Sequence, residues 1–488
     1  MRKIAFRVTP ITLPIILFAG AIACGTLLLH TRAALAARGL SWIDALFTAT
    51  SAICVTGLTT VDTGTTYSLF GQAVVALLIQ LGGLGIMTYT ALIYYLIRQK
   101  VALNDRFVIG QGLQHDPRQP FGALLVRIVT WTVIIETCGA IFLYLSGDGG
   151  ISPFAAVFHS ISAFCNAGFS LYHDNLMAWR GNWGVNLVVM ILIVTGGLGF
   201  AVVVELNGRI AGSLQHFWQQ LWHFRLFRHF RYLRYLRYLS HLRRPRRGPV
   251  PTPAAPRRLS WYSKIVLMTT FFLIVGGGIG IYLCESCAAR AAGGPEFTML
   301  AGFFQSITCR TAGFNTVDIR MMTNASLYLM MFLMFVGGGS GSCAGGLKVG
   351  TFRVLIAFLT AQIRGRSQAV IGRFAVAEKV VHEALVLLFV SVVIILSAAF
   401  ILNITEGGLV PHPMSRDLEL KILFETVSAY GTVGLSLGLT TTLSTLGKLI
   451  VILLMFTGRL GPIVLIAAVQ SYQRKELFRW PEERLLVG

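Results

Sequence analysis

Long apolar stretches separated by short polar segments make up most of this chain. Eight of them reach or approach the ~20 residues that an α-helix needs to cross a bilayer. Their approximate bounds are 10–30, 69–97, 121–145, 184–206, 262–284, 326–363, 379–402 and 446–470. A run of glycines breaks the sixth. The pattern predicts an all-α membrane protein whose spans form four successive pairs.

A glycine-centred string of five residues lies between the two spans of each pair. The strings are Val-Thr-Gly-Leu-Thr at 55–59, Asn-Ala-Gly-Phe-Ser at 166–170, Thr-Ala-Gly-Phe-Asn at 311–315 and Thr-Val-Gly-Leu-Ser at 432–436. Each follows a Ser- or Thr-containing segment that is predicted to form a short helix. Glycine lets a loop turn its carbonyl groups inward without a Cβ clash, and rings of carbonyls line ion-selective pores. The strings therefore predict one ion path lined by four backbone loops.

A second glycine marker follows each string at a similar distance. The second markers begin 25, 28, 24 and 24 residues after the central glycine of their string, at Gly82, Gly196, Gly337 and Gly458. Two markers in the same phase predict four helix–pore-loop–helix repeats around a pseudo-fourfold central pore. In repeats one and two we interpret the second marker as close helix packing through small residues.

The repeats divide the chain into successive units. These are repeat one at 1–100, repeat two at 119–207, a basic insertion with a proline-rich linker at 208–260, repeat three at 261–363, repeat four at 379–472 and a tail at 473–488. The first apolar run is similar to a signal peptide, but its removal would leave the first string without a preceding span. We therefore interpret it as a retained helix.

Charged residues are scarce and unevenly placed. They make up 12% of the chain, against about 25% in ordinary soluble domains. The net charge is +21, and Lys and Arg concentrate before the first span, between spans two and three, in the basic insertion, between spans six and seven, and in the tail. These segments share one side if the spans alternate. The positive-inside rule then places both termini in the cytoplasm and the four strings on the outer side.

Together with the residues that flank them, the four strings resemble those of the KtrB/TrkH superfamily of bacterial potassium-uptake membrane subunits. The segments that carry the resemblance are VTGLT with Asp62 shortly after it, SAFCNAGFS, SITCRTAGFNT and AYGTVGLSLGLT. The short N-terminal region before the first string resembles KtrB more than TrkH, whereas the long basic insertion departs from KtrB. The resemblance implies a multi-pass protein of the bacterial plasma (inner) membrane, K+ as the transported ion and no cofactor. It also implies a homodimer and a cytoplasmic nucleotide-binding regulatory ring of the KtrA/TrkA type.

The strings predict an ion selectivity filter whose carbonyl oxygens replace the hydration water of K+. The predicted filter residues are Thr56, Gly57, Leu58, Asn166, Ala167, Gly168, Phe169, Thr311, Ala312, Gly313, Phe314, Thr432, Val433, Gly434 and Leu435. In the resembling family, glycine in all four loops accompanies potassium selectivity, and serine in the first accompanies sodium transport. Gly57 therefore favours K+, and a sodium-permeable member is the alternative. The threonine hydroxyls have a second interpretation, as hydrogen-bond partners of the neighbouring backbone.

The glycine-rich segment of repeat three predicts a break in its last helix, because a helix does not hold so many glycines cheaply. In the resembling family this segment is an intramembrane loop that gates the pore beneath the filter. The predicted gate residues are Gly337, Gly338, Gly339, Ser340, Gly341, Gly345, Gly346, Lys348 and Arg459.

Two charged side chains within the predicted spans need partners, because an unpaired charge at membrane depth is costly. For Arg459 the favoured partner is the set of carbonyl groups at 337–346, and an acid such as Glu136 or Glu205 is the alternative. For Glu136 we favour a structural pairing with a basic residue or a helix end over a role in transport.

The basic insertion carries an arginine at every third position from Arg225 to Arg237. This spacing is typical of a voltage-sensing cation channel, but residues 225–238 as a helix reach only about 21 Å of the ~30 Å hydrocarbon core. Contact with anionic lipid fits better, and no fold that reads nucleic acid is recognisable. No GxxxxGK[ST] loop occurs, so no enzyme activity is predicted. A secondary transporter with inverted repeats is disfavoured because each unit contains two spans in the same orientation.

Overall fold

The computed structural model describes residues 12–36, 39–84, 121–207, 209, 259–292, 297–408 and 411–461. Within these ranges the regular structure is almost entirely helical, which confirms the predicted fold class. A small antiparallel hairpin pairs Val370–Ile371 (β1) with Phe374–Ala375 (β2). The arginines at 225–237 and the tail at 473–488 lie outside the described residues, so the lipid and voltage-sensor interpretations stay predictions.

The helices are numbered here in chain order. They are α1 Thr12–Leu29, α2 Trp42–Ile53, α3 Thr63–Thr66, α4 Leu69–Gly83, α5 Phe121–Ser146, α6 Pro153–Phe164, α7 Trp183–Leu198, α8 Trp261–Ala292, α9 Met299–Thr308, α10 Asn324–Phe335, α11 Val349–Ile363, α12 Glu378–Gly407, α13 His412–Gly431 and α14 Thr445–Leu460. Short 3-10 turns lie at Arg32–Ala34, Met177–Trp179, Ile319–Met321 and Thr440–Thr442.

Capping side chains determine where the helices around each glycine string begin. The helices that precede the first three strings start after Ser41, Ser152 and Thr298. The helices that follow the strings start after Ser68, Asn182, Thr323 and Ser444. In each case the side-chain oxygen accepts an N–H group of the first turn, which the helix itself leaves unpaired. Seven of the eight helices that flank the loops thus have locally encoded starts, the exception being α13, which begins after Pro411.

Within the described part of the chain, three helices are long and apolar enough to cross a membrane, at Val126–Ser146, Trp261–Ala291 and Glu378–Gly407. A fourth candidate is the pair Trp183–Leu198 and Phe200–Asn207, bent by 109°. The three long helices expose large aromatic side chains, among them Phe142, Phe272 and Phe389. Soluble proteins rarely expose contiguous apolar patches of this kind, and a lipid bilayer covers them at no cost. The chain is therefore a multi-pass membrane protein.

The continuous span predicted at 184–206 is wrong, because the helix breaks at Gly199. This glycine has a φ of 94°, a conformation that L side chains rarely adopt. The backbone N–H of Phe200 then donates to the Gly341 carbonyl at 3.2 Å, in the glycine-rich loop of repeat three. The predicted close packing of the second marker does hold at Gly196, whose added Cβ would strike the Phe164 carbonyl. The marker of repeat two thus combines packing with a break.

The first and last repeats pack against each other. The buried core of repeats three and four also includes Phe47, Cys54 and Leu58 from repeat one. Lys448 Nζ on α14 donates to Asp44 Oδ1 on α2 at 2.8 Å, and the two side chains are only 15% and 16% exposed. Residues that are 404 positions apart in the chain are thereby joined.

Candidate ion path and gate

The four glycine strings share one backbone conformation. Their central glycines, at 57, 168, 313 and 434, have φ angles of 94°, 70°, 77° and 94°. The residue two positions earlier also has a positive φ in every string, with values of 55°, 59°, 71° and 50° at Val55, Asn166, Thr311 and Thr432. A β-branched residue in this region is an outlier that persists only where its surroundings impose it. The surroundings therefore impose the same loop shape four times.

The central glycines face one another in a closed ring. A Cβ added to Gly57 would come within 2.5 Å of the Ala167 carbonyl oxygen, next to Gly168. In the same way, a Cβ added to Gly168 would approach the backbone at Gly313, and one added to Gly313 would approach the backbone at Gly434. A Cβ added to Gly434 would approach the backbone at Gly57, which closes the ring. Each position thus requires glycine for two reasons, the positive φ and the neighbouring backbone. The loops surround one axis in the order of the repeats.

A hydroxyl side chain at the end of each short helix supports the loop that follows it. Ser51 Oγ accepts the Gly57 N–H at 3.1 Å, and Ser428 Oγ accepts the Gly434 N–H at 3.2 Å. Ser162 Oγ donates to the Phe169 carbonyl at 2.8 Å, and Thr308 Oγ1 donates to the Phe314 carbonyl at 2.6 Å. Sequence reasoning noted these segments but missed this role. The recurrence of Ser or Thr just before each string was the available signal.

The threonine hydroxyls next to the central glycines do not bond the neighbouring backbone. Thr56, Thr311 and Thr432 are fully buried, and their Oγ1 atoms have no hydrogen-bond partner among the described residues. Burying a hydroxyl without a partner costs free energy. Such hydroxyls occur in three of the four loops, at the first position of the third and fourth strings and at the second position of the first string.

A cavity of about 390 Å³ opens above the ring of glycines. Gly57, Gly168, Gly313 and Gly434 line it, together with the charged side chains Asp62, His173, Asp174, Asp318 and Arg320. His173 Nδ1 lies 2.7 Å from Asp62 Oδ2, and Arg320 Nη2 lies 2.9 Å from Asp318 Oδ2. The hydrogen bond to Asp62, with the charges of Asp62 and Asp174, raises the pKa of His173 above its usual value. The mouth above the glycines is thus polar and holds three carboxylates.

The predicted break in the last helix of repeat three is present between Phe335 and Val349. The glycine-rich loop in this break crosses to repeat two, where the Gly339 N–H donates to the Gly197 carbonyl at 2.8 Å and the Cys343 N–H to the Gly196 carbonyl at 3.3 Å. It also reaches repeat one, because Cys343 Sγ donates to the Gly83 carbonyl at 3.0 Å. In repeat four it packs against Thr432, whose hydroxyl would meet a Cβ added to Gly345. One loop therefore contacts all three other repeats.

Three basic side chains donate to the carbonyl groups of this loop. Arg459 donates to Cys343, and also to Gly82 of repeat one. Lys348 Nζ donates to the Ala344 carbonyl at 2.5 Å, and Arg310 Nη2 to the Gly337 carbonyl at 3.0 Å. Within the described residues, ion pairs within 4.0 Å do not include any of these three cations. Sequence reasoning missed Arg310, although a charge in the pore-loop segment was a visible signal.

The acids considered as partners of Arg459 make other contacts. Glu205 accepts hydrogen bonds from Ser260 and Ser263 at 2.8 and 2.5 Å. Glu136 is buried, and its Oε1 lies 3.8 Å from Cys165 Sγ. Among the described residues no basic group lies within 4.0 Å of the Glu136 carboxylate, so a basic residue is not its partner there, and the pairing with a helix end stays a prediction. Arg459 donates to the backbone carbonyl groups of Cys343 and Gly82 instead of to an acid.

The family model described as "TrkH: Cation transport protein" matches residues 16–236 and 295–476. The chain belongs to the TrkH family of cation transport proteins. The resemblance inferred from the glycine strings is thereby confirmed. The TrkH family is one of transport proteins and not of enzymes, as the sequence predicted.

Named relatives of the TrkH family cover nearly the whole chain. The Ktr system potassium uptake protein B of Bacillus subtilis (strain 168) is 34% identical over 92% of this chain and 91% of its own length. The potassium/sodium uptake protein NtpJ of Enterococcus hirae is 33% identical over 92% of this chain and 90% of its own length. The crystal structure of the potassium transporter TrkH from Vibrio parahaemolyticus shares the fold, with a TM-score of 0.67, 16% identity, and coverage of 96% of this chain and 86% of that one.

Proposed function

We propose that this chain is the potassium-translocating subunit of a Ktr/Trk-type uptake system, with channel-like permeation through the four glycine loops. The observation that carries the proposal is the closed ring in which each central glycine abuts the backbone of the next loop. A ring of backbone groups below a polar, carboxylate-bearing mouth suits a cation that exchanges hydration water for carbonyl oxygens. The unpartnered hydroxyls of Thr56, Thr311 and Thr432 add oxygen ligands to the same place.

Potassium is the ion that the ring favours. The named relatives include a potassium uptake protein and a potassium/sodium uptake protein, both about a third identical to this chain. Glycine at 57 completes the set of four and favours K+ over Na+. The second name keeps sodium permeation as the alternative within the same family.

The loop at 337–346 would close the path beneath the filter. It packs against Thr432 at the end of the fourth pore helix, and Arg310, Lys348 and Arg459 anchor its carbonyl groups. Three cations without an acidic partner in the described residues also create a positive field, which opposes the passage of a cation. Opening requires that the loop leave Thr432 and that Arg459 release the Cys343 carbonyl.

The proposed assembly of the system is supported by the names of the relatives and not by contacts in this chain. A protein of a Ktr system works with other subunits, and we propose a homodimer with a cytoplasmic nucleotide-binding ring of the KtrA/TrkA type. The cytoplasmic termini, the inner-membrane location and the contact of the basic insertion with anionic lipid belong to the same proposal. No nucleic acid is proposed as a partner.

The test is ion flux through the purified protein in liposomes. Uptake of K+, Rb+ and Na+ would be measured with and without an imposed membrane potential, and empty liposomes would serve as the control. We expect K+ and Rb+ flux driven by the potential, with Na+ flux at least about tenfold lower, a difference of roughly 1.4 kcal/mol in barrier height. Equal Na+ and K+ flux would favour the sodium-permeable alternative, and no cation flux would contradict the proposal.

A further inference from the structure

A buried acid stands behind the fourth filter loop. Glu425 lies on α13, is fully buried, and accepts a hydrogen bond from Ser436 Oγ at 2.7 Å and another from Thr440 Oγ1. Ser436 follows Gly434 by two positions and lines the outer cavity. Its hydroxyl oxygen also accepts the Gly438 N–H at 3.0 Å. The serine thus links a buried acceptor to the backbone just beyond the filter.

The second filter loop has the same arrangement with different chemistry. His159 on α6 is buried, and its Nε2 lies 3.0 Å from Ser170 Oγ. Ser170 follows Gly168 by two positions, and its oxygen accepts the Tyr172 N–H at 3.0 Å. Both pairs span 11 residues in the chain. The match in register, partner and turn shows that the two pairs occupy equivalent positions.

The tautomer of His159 follows from its second contact. Nδ1 lies 2.7 Å from the Ala155 carbonyl oxygen, which only accepts hydrogen bonds, so Nδ1 carries the hydrogen. Nε2 of a neutral ring is then an acceptor, and the Ser170 hydroxyl donates to it. His159 therefore performs the same task as the Glu425 carboxylate, that of an acceptor for the serine beyond the filter.

The two pairs lie across the ion path from each other. The ring of glycines runs through repeats one, two, three and four in order, so repeats two and four are opposite. The equivalent positions of repeats one and three hold Thr48 and Phe304, and neither forms a matching bond to the residue two places beyond its glycine. His159 also packs 6.4 Å from the Phe314 ring of the third filter string. Among the described residues, the bond between a buried acceptor and the serine beyond the glycine thus occurs in loops two and four but not in loops one and three.

We propose that His159 and Glu425 are positioning residues for ion selectivity, which hold the filter loops of repeats two and four through Ser170 and Ser436. The inference rests on the proposed function of the glycine ring as a potassium filter. Selectivity of a carbonyl filter depends on the position and stiffness of its oxygen atoms. A loop that loses its brace adapts to the smaller Na+ ion more readily, so discrimination falls while the path stays open.

The decisive variants are Ser436→Ala, Glu425→Leu, their combination, and Glu425→Gln. Glu285→Gln, which neutralises a buried glutamate that accepts a hydrogen bond from Thr323 and does not line the cavity above the glycines, is the matched control. Each purified protein would be placed in liposomes, and the ratio of K+ to Na+ flux would be measured together with the total K+ flux. We expect Ser436→Ala and Glu425→Leu each to lower the ratio about three- to tenfold, the scale of one lost buried hydrogen bond. The loss in the double variant should be smaller than the sum of the two single losses, because both changes break the same link.

The conservative variant Glu425→Gln distinguishes a role in positioning the loop from a role in packing alone. Glu425→Gln keeps an acceptor oxygen for Ser436 and should retain a ratio within about twofold of the unmodified protein, as Glu285→Gln should. If Glu425→Leu does not fold, Ser436→Ala and Glu425→Gln decide alone. An unchanged ratio in Ser436→Ala, or additive losses in the double variant, would overturn the inference. Absence of selective flux in the unmodified protein would instead contradict the proposed function.

Discussion

Gly345 of the glycine-rich loop lies against the side chain of Thr432, the residue two positions before the central glycine of the fourth string. Thr432 is held at a φ of 50°, and its hydroxyl has no hydrogen-bond partner in the described structure. The proposed gate therefore touches the proposed filter directly. A movement of the loop must change the surroundings of a filter residue.

Replacing Gly345 by alanine should open the path. The new Cβ would collide with the Thr432 hydroxyl and methyl groups, so the loop can no longer rest beneath the filter. A change of about 1 kcal/mol in the balance between closed and open states alters the open fraction about fivefold. We expect the maximal K+ flux in liposomes to rise by a similar factor. Gly350→Ala is the control, since its nearest neighbour is Tyr262 Cε2 at 3.9 Å and its flux should be unchanged.

Replacing Gly57 by serine should weaken the preference for K+ over Na+. Its Cβ would press on the Ala167 carbonyl, a predicted ligand in the next loop, and displace it from the ring. Uptake competition in a potassium-uptake-deficient bacterial strain would measure the effect, with at least a severalfold increase in inhibition by Na+ expected. Gly39→Ser has the same positive φ but no atom within 4 Å, and it controls for backbone strain alone. Unaltered exclusion of Na+ in Gly57→Ser would remove this residue from the filter.

The sequence was sufficient for the fold class, the family and the position of the four loops, because glycine spacing and apolar length are local properties of the chain. The break at Gly199 was missed, since a Gly-Gly-Leu-Gly run inside an apolar span is compatible with packing as well as with a bend. The positive φ of Gly199 and the hydrogen bond between Phe200 and Gly341 distinguish the two cases. The braces at His159 and Glu425 were likewise beyond reach, because each depends on a serine that is 11 residues away in the chain and comes within 3.0 Å only through the fold of the loop.

Replacing Arg459 by alanine should speed transport by loosening the loop. The variant removes the hydrogen bonds to Cys343 and Gly82 and one positive charge from the path. We expect higher maximal K+ flux, and the same result from deletion of residues 339–345. Arg459→Lys retains the charge but not the two-armed contact, so it separates the electrostatic barrier from the anchor. If neither Arg459→Ala nor the deletion changed the flux, the gate assignment would fail.

Outer pH should modulate the apparent affinity for K+ through His173. Its folded-state pKa lies above the unperturbed value of about 6.5 because Asp62 stabilises the charged form. The pair is therefore fully formed below about pH 6.5 and is lost as pH rises through the raised pKa, which leaves the mouth more negative. We expect KM for K+ to fall modestly with rising pH. The change should be no more than about twofold, because the His173 imidazole is exposed and salt screens its charge. His173→Gln should abolish the slope, and a slope that persists in this variant would assign it to another group.

Breaking the link between Lys448 and Asp44 should destabilise the whole fold rather than alter selectivity. Both side chains are mostly buried, so Lys448→Met leaves the Asp44 carboxylate without its cation where repeats one and four meet. Removing one partner of a buried pair costs about 3 kcal/mol of folding free energy, and the cost is smaller where water still reaches the remaining charge. Thermal unfolding in detergent, monitored by size-exclusion chromatography after heating, should show a lowered midpoint temperature. Arg320→Met breaks a pair whose arginine is 64% exposed and should leave the midpoint nearly unchanged. Equal midpoints for the two variants would mean that the Lys448 pair does not hold the first and last repeats together.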